Sequence, residues 1–197
     1  IRTIYNFARN EFQIDDRNYP FGKGKIQIKF PETEKIGLNK EEVQLLETAV
    51  DLTPAQLNAV NIWLTSFYFA GIRVGDVLKL KCPDFKDDRL YYRMGKNKKL
   101  VSLAVPEKAK KILYQYMSLK KGKNDLVFPY LKGTDLKDEK RVATRIKTIT
   151  RNLNRRLQIV AEKLGIEKKL SMHIARHSFG SISGDKIPIQ MLQKLYR

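Results

Sequence analysis

An apolar stripe along residues 138–164 is the feature that most constrains the fold of this chain. Apolar side chains recur there every three or four residues, which is the spacing of one face of an α-helix. The stripe consists of Val142, Ile146, Ile149, Leu153, Leu157, Val160 and Leu164. Arg145 and Arg151 lie off the stripe, and Gly165 follows it. The pattern predicts one long helix with a buried apolar face and an exposed basic face, ended at Gly165.

The other patterns predict further helices and one small sheet. Helix starts are expected where a capping residue or a proline precedes an apolar repeat. They lie at Asn39, Thr53, Pro106, Ser171 and Asp185. The helix after Thr53 is apolar on more than one face and is predicted to be buried. Alternating residues in 88–94 and 100–106 predict two strands joined by the basic tip GKNKK. The expected fold class is mainly α with a small antiparallel β-sheet, an α+β arrangement.

The first 36 residues differ in character from the rest. Residues 1–13 have the apolar spacing of a helix end, and 14–36 contain the proline, glycine and polar residues typical of a linker. The main domain is expected to occupy 37–197. Because the chain opens in mid-helix and without an initiator methionine, we expect it to be a fragment of a longer protein.

A strong positive charge indicates the class of partner. The 197 residues include 39 Lys and Arg against 21 Asp and Glu, for a net charge of +18. Such an excess points to a polyanionic partner, most often nucleic acid, with an anionic membrane surface as the other option. Since the basic residues recur along folded segments, nucleic acid is favoured over a charge that serves solubility alone. No apolar run is long enough to span a membrane. The single cysteine, Cys82, excludes an intrachain disulfide framework and suits a reducing cytosol.

Metal chemistry finds little support in the sequence. One cysteine and two histidines at this spacing make no credible zinc site. The turn carboxylates Asp84, Asp87 and Asp88 do not by themselves indicate a two-metal nuclease. We therefore expect no metal.

The stretch HIARHSFGS, residues 173–181, carries side chains suited to bind a phosphate. His173 and Arg176 are neighbours on one helix face, and His177 follows. An arginine fork matches two phosphate oxygens, and a histidine can donate a further hydrogen bond. Taken alone, the motif is more often a half-exposed basic helix face.

Two earlier segments carry similar chemistry. In GIRVGD, residues 71–76, Arg73 follows a predicted change of chain direction. Asp76 can hold either its guanidinium or a neighbouring helix start in place. At the hairpin tip, Lys96, Lys98 and Lys99 can bring an ammonium beside a phosphate. For Lys98 and Lys99 the preferred interpretation is nonspecific contact with a nucleic-acid backbone.

In this order, G-I-R-x-x-D, G-K-N-K-K and H-I-A-R-H-S-F-G-S resemble the catalytic domain of the tyrosine recombinases, the phage integrase family. The resemblance runs from about Leu38 to the end and implies the fold of these DNA breaking-rejoining enzymes. The stretch YPFGKGKIQIKFPE resembles integrases of Bacteroidetes mobile elements such as conjugative transposons. Residues 1–13 would then be the C-terminal helix of a preceding core-binding domain.

The resemblance implies a role for each candidate residue. Arg73 and Arg176 clamp the scissile phosphate, Lys96 protonates the leaving 5′ oxygen, and His173 assists proton transfer. Asp76 supports the site. His177 supports it as well, by packing or hydrogen bonding internally, not by touching DNA. DNA-binding residues are expected to include Lys98, Lys99, Arg145 and Arg151. The chemistry needs no cofactor.

The family's nucleophile is a tyrosine that forms a 3′-phosphotyrosyl link, and no tyrosine of this sequence matches its position. Tyr196 comes too early, and Tyr91, Tyr92 and Tyr114 lie in no matching motif. We therefore expect the nucleophile to lie outside these 197 residues, and this fragment to bind DNA without cleaving it.

The resemblance also implies partners and a location. They are double-stranded DNA, further copies of the chain forming a dimer to tetramer on DNA, and accessory DNA-bending proteins, in the bacterial cytoplasm. Three alternatives stay open from the sequence: a noncatalytic DNA-binding module, a type IB topoisomerase-like enzyme and a basic RNA-binding protein.

Overall fold

A computed structural model describes residues 1–13, 15–22, 24–28, 37–118, 122, 125–184, 187–188 and 190. The chain divides into two compact units, Ile1–Glu34 and Lys35–Arg197. The first contains helix α1, Arg2–Phe12, which confirms the helix predicted in 1–13. After it the chain forms a short turn of 3-10 helix, and an isolated bridge pairs Phe21 with Ile26.

The second unit is mostly helical with one three-stranded antiparallel sheet, as predicted from the sequence. Its helices are α2 (Lys40–Glu47), α3 (Pro54–Tyr68), α4 (Val74–Val77), α5 (Glu107–Met117), α6 (Glu139–Lys163) and α7 (Ile174–Ser183). Its strands are β1 (Phe85–Lys86), β2 (Arg89–Arg93) and β3 (Leu100–Ala104), in the order β1-β2-β3. The strand β1 was not predicted, because its two residues form a strand only by pairing with β2.

Local capping explains where several helices begin. Asn39 and Thr53 each form a capping box with the side chain three residues later, and the Asp138 side chain accepts the Arg141 N–H. These groups satisfy N–H donors that a first helical turn leaves without partners. Gly165, with a φ of +67°, follows α6 as predicted.

The predicted cap at Ser171 is wrong. The helix α7 begins at Ile174, after a turn in which the Ser171 carbonyl accepts the Ile174 N–H at 3.0 Å. The same carbonyl accepts the indole N–H of Trp63 at 3.0 Å. Ser171 is therefore held by a contact with α3, which the local sequence does not reveal. Asp185, where a last helix was predicted to start, lies outside the described residues. Of that stretch only 187, 188 and 190 are described, and Gln190 is helical.

The core is built around α3. Its side chains at Ala59, Val60, Ile62 and Trp63 are buried, and the helix packs against α5, α6 and α7. The α6 stripe closes one side of this core, with Leu153, Leu157 and Val160 fully buried, as its spacing predicted. In the part of the chain that the structure describes, no helix is both long and apolar enough to span a membrane.

Candidate phosphate-binding site

A tight turn at the end of α3 places Arg73. Ala70 and Gly71 adopt positive φ values of 58° and 68°, which reverse the chain. The Gly71 N–H donates to the Ser66 carbonyl at 2.8 Å, and the Ser66 hydroxyl donates to the Ile72 carbonyl at 2.6 Å. Because the turn is tied to α3 by both bonds, Arg73 enters α4 from a fixed position, and it is half-buried there.

Arg176 lies directly against this turn. Its guanidinium Nη1 donates to the Gly71 carbonyl at 3.0 Å. A Cβ added to Gly71 would lie 2.6 Å from the Arg176 Cα, so only glycine permits the approach. The two candidate phosphate-binding arginines are thus brought to adjacent elements, although 103 positions separate them in the numbering.

The segment before α7 is anchored on both sides. Besides the Trp63 bond to Ser171, the Asn154 side chain on α6 accepts the Met172 N–H at 2.8 Å. The rings of His173 and His177 meet edge to face, with centroids 4.6 Å apart. His173 is exposed and His177 half-buried, which places His173 outward and His177 toward the protein interior.

Asp76 connects α4 to the β2–β3 hairpin. Its buried carboxylate accepts the Gly95 N–H at 3.1 Å, and a Cβ on Gly95 would lie 2.7 Å from that oxygen. Burial raises the pKa of the Asp76 carboxyl, and the Gly95 N–H, Arg73 and Arg176 act against that rise. Both arginines therefore act electrostatically on the same carboxyl. Lys96 is the next residue after Gly95 and is exposed.

The hairpin tip is closed by its own backbone. The Lys98 N–H donates to the Met94 carbonyl, and the Met94 N–H donates to the Lys99 carbonyl, both at 2.9 Å. The Lys98 ammonium lies 3.6 Å from Glu139 Oε1 at the start of α6. Lys99, Arg145 and Arg151 are exposed. The basic side chains proposed to bind DNA are thus accessible.

Sequence reasoning missed Tyr92 as a neighbour of the site. This residue of β2 is largely buried, and burial raises its pKa to about 12, with Asp76 adding to the rise and the two arginines opposing it. Alternation along β2 buries Leu90 and Tyr92 on one face, and Met94, directly after the strand, continues the pattern. That period of two was visible in the sequence and would have assigned Tyr92 to the interior.

Comparison with known families decides the relationship. The profile of the phage integrase family matches residues 37–196. This chain belongs to the phage integrase family. A comparison with curated protein sequences returned no match.

Solved structures share the fold of this phage integrase family member at low sequence identity. An XerA recombinase structure matches with a TM-score of 0.58 and 20% identity, over 98% of this chain and 64% of that chain. The lambda integrase catalytic core matches with a TM-score of 0.54 and 17% identity, over 81% of this chain and 89% of that chain. A Tn1549 transposon integrase in complex with transposon right end DNA matches with a TM-score of 0.63 and 11% identity, over 98% of this chain and 68% of that chain. The predicted tyrosine recombinase catalytic fold is confirmed. The chain spans less than two thirds of the XerA recombinase.

Proposed function

We propose that this chain contributes the catalytic domain of a site-specific DNA recombinase or integrase, which cleaves and rejoins duplex DNA through a 3′-phosphotyrosyl intermediate. The observation that carries the proposal is the meeting of two arginine-bearing elements at Gly71, where Arg176 donates to the Gly71 carbonyl. Two guanidiniums on rigid elements suit a phosphate whose charge grows during the reaction.

In the proposed reaction, a tyrosine oxygen bonds to phosphorus and the bond from phosphorus to the 5′ oxygen breaks. Arg73 and Arg176 bind the nonbridging oxygens, and the Lys96 ammonium gives its proton to the departing 5′ oxygen. His173 assists proton transfer and helps to hold the phosphate. Religation reverses each step with a 5′ hydroxyl of another strand, so the bond energy is preserved and no cofactor is consumed.

Asp76 has a supporting role in this scheme. Its carboxylate is bound to the backbone N–H that precedes Lys96 and lies in the field of both arginines. It therefore couples the position of the hairpin to that of α4. His177 supports His173 through their edge-to-face ring contact.

The nucleophile is proposed to lie outside residues 1–197. Tyr92 lies beside the site, but its hydroxyl is unsuited to attack, because burial raises its pKa to about 12 and so disfavours the phenolate. Tyr196 lies outside the described residues. Residues 1–13 are proposed as the end of a core-binding domain and 14–36 as the linker from it.

The proposed partners are double-stranded DNA and further copies of the chain. A lambda integrase dimer bound to a COC′ core site and an XerH recombinase bound to a difH substrate share this fold, at TM-scores of 0.60 and 0.59. The charge of +18 is consistent with a DNA partner. We also propose a bacterial cytoplasmic location, origin in a Bacteroidetes mobile element, and accessory DNA-bending proteins.

The test uses the protein extended to include its nucleophile, with a nicked DNA substrate that traps the covalent adduct. Arg176→Ala should retain DNA binding and lose the adduct. The matched control, Arg151→Ala, removes an exposed arginine of α6 and should keep adduct formation at saturating DNA. Normal adduct formation by Arg176→Ala would contradict the assigned site. Absence of any adduct in the unmodified protein would favour a noncatalytic DNA-binding module, and plasmid relaxation without recombination would favour a topoisomerase.

A further inference from the structure

The segment that enters the second unit lies directly on α7. We call Gly37 and Leu38 the entry segment. The Leu38 N–H donates to the Ser178 hydroxyl oxygen at 2.8 Å, and that hydroxyl donates to the Ile174 carbonyl at 2.8 Å. Leu38 and Ser178 are both fully buried. The Ser178 hydroxyl therefore accepts from the entry segment and donates within α7, away from competing water.

Gly37 brings backbone against backbone at the same place. A Cβ at this position would lie 2.7 Å from the Ser178 nitrogen and 2.8 Å from the His177 carbonyl carbon. Both atoms belong to the helix backbone, so no side-chain rotation relieves the contact. The entry segment thus requires a residue without a side chain to lie on α7.

The contact falls on the turn that carries the proposed phosphate-binding groups. The bond from Ser178 to Ile174 spans the turn containing Arg176, and Ile174 directly follows His173. The entry segment is 140 residues away in sequence from its acceptor, so the bond joins two distant parts of the chain. Ser178 is consequently the point where the chain entering the domain is tied to the helix of the site.

We propose that Ser178 is a positioning residue. Through it, the entry segment fixes the α7 turn that presents His173 and Arg176. This inference rests on the proposed recombinase function, because its effect is read in the strand-cleavage step. The consequence is that the entry segment of the second unit forms part of the support of the active site.

Removing the hydroxyl should lower cleavage more than DNA binding. In Ser178→Ala the buried Leu38 N–H loses its acceptor, so the entry segment separates from α7. A misplacement of catalytic groups by about 1 Å can cost about a hundredfold in rate. We expect the rate of adduct formation to fall by about tenfold or more, while exposed phosphate-binding residues keep DNA affinity within about twofold.

The experiment perturbs the contact from both sides in the protein that includes its nucleophile. Ser178→Ala changes α7, whereas Gly37→Ala changes no atom of α7. Each should reduce single-turnover adduct formation and accelerate hydrogen exchange in 173–183. The double variant should lose little more than either single variant, because both remove one contact. Ser178→Cys keeps a weaker acceptor of similar shape, so its rate of adduct formation should lie between those of Ser178→Ala and the unmodified protein.

The matched control is Thr65→Val in α3. Thr65 is fully buried, and its hydroxyl donates to the Asn61 carbonyl four residues earlier, as Ser178 does to Ile174. This variant should lose thermal stability but keep the adduct rate and the exchange in α7. If Ser178→Ala does not fold, Gly37→Ala carries the same test.

Two outcomes overturn the inference, and they are distinguishable. The positioning role of Ser178 is overturned if folded Ser178→Ala or Gly37→Ala forms the adduct at the normal rate and shows unchanged hydrogen exchange in α7. That outcome leaves the proposed function intact. Absence of adduct in the unmodified protein overturns the proposed function and this inference with it.

Discussion

Replacing Gly71 by alanine tests whether the contact between the α3 turn and α7 positions Arg176. Gly71 has a φ of +68°, and its added Cβ would meet the Arg176 Cα at 2.6 Å. Gly165 offers a matched control, because its φ is +67° and an added Cβ there meets nothing within 4 Å. Both glycines follow a helix. The two alanine variants therefore share the cost of a left-handed backbone but differ in the clash.

The expected losses of stability follow from the cost of a left-handed alanine and from the clash of the added Cβ. A left-handed alanine costs about 1–2 kcal/mol, so Gly165→Ala should lower Tm by about 2–8 °C in a domain of this size. Gly71→Ala adds overpacking of about 1–3 kcal/mol, for a total loss of about 2–5 kcal/mol. To reach an ordinary contact of 3.4 Å, the Arg176 backbone must move by about 0.8 Å. A shift of that size should lower the cleavage rate by about a hundredfold.

Thermal unfolding and single-turnover adduct formation measure the two effects separately. Adduct formation is measured on the nicked substrate, at a temperature where both variants are folded. We expect Gly165→Ala to lose stability but keep its rate, and Gly71→Ala to lose more stability and most of its rate. Equal stability losses together with normal cleavage by Gly71→Ala would refute the argument that this contact positions Arg176.

Three further predictions concern single side chains. Burial raises the pKa of the Asp76 carboxyl above its unfolded value of 3.8, so the free energy of unfolding should fall as pH rises from 3.8 toward the pKa in the folded protein. Asp76→Asn should flatten this pH dependence, as measured by unfolding at a series of pH values. The same variant should also slow cleavage. Arg145→Ala and Arg151→Ala should each lower the slope of log affinity against log salt by about one, with little change in adduct yield at saturating DNA. Trp63→Phe removes the N–H that donates to the Ser171 carbonyl. The free energy of unfolding, measured with denaturant, should fall by about 1–3 kcal/mol. A fall below about 0.5 kcal/mol would show that this bond contributes little to stability.

The helices could be predicted because their signals are local. Asn39 and Thr53 cap helices whose third residues complete the capping box, and the apolar stripe of α6 repeats with the helical period. By contrast, β1 has only two residues and depends on its pairing with β2. Ser171 has the composition of a cap, but the tertiary bond from Trp63 decides its place.

For the candidate site, the sequence predicts residue types but not the contacts between them. The order of the three motifs suggested Arg73, Lys96 and Arg176 through a family resemblance. The hydrogen bonds that support these residues join distant parts of the chain. Arg176 and Gly71 are 105 positions apart, Asp76 and Gly95 are 19 apart, and Leu38 and Ser178 are 140 apart. No local pattern encodes such pairings, since each depends on how complete helices and strands pack.

The bond between Arg176 and Gly71 also bears on how the protein is made. It joins chain segments 105 residues apart, and a ribosome adds about 5–20 residues per second. The turn bearing Arg73 is therefore synthesised about 5–20 seconds before the helix that completes the arginine pair. During that interval the nascent chain carries basic residues that can contact nucleic acid, but it lacks the second of the two arginines. Under the proposed recombinase function, we expect strand cleavage to be withheld from unfinished chains by the order of synthesis.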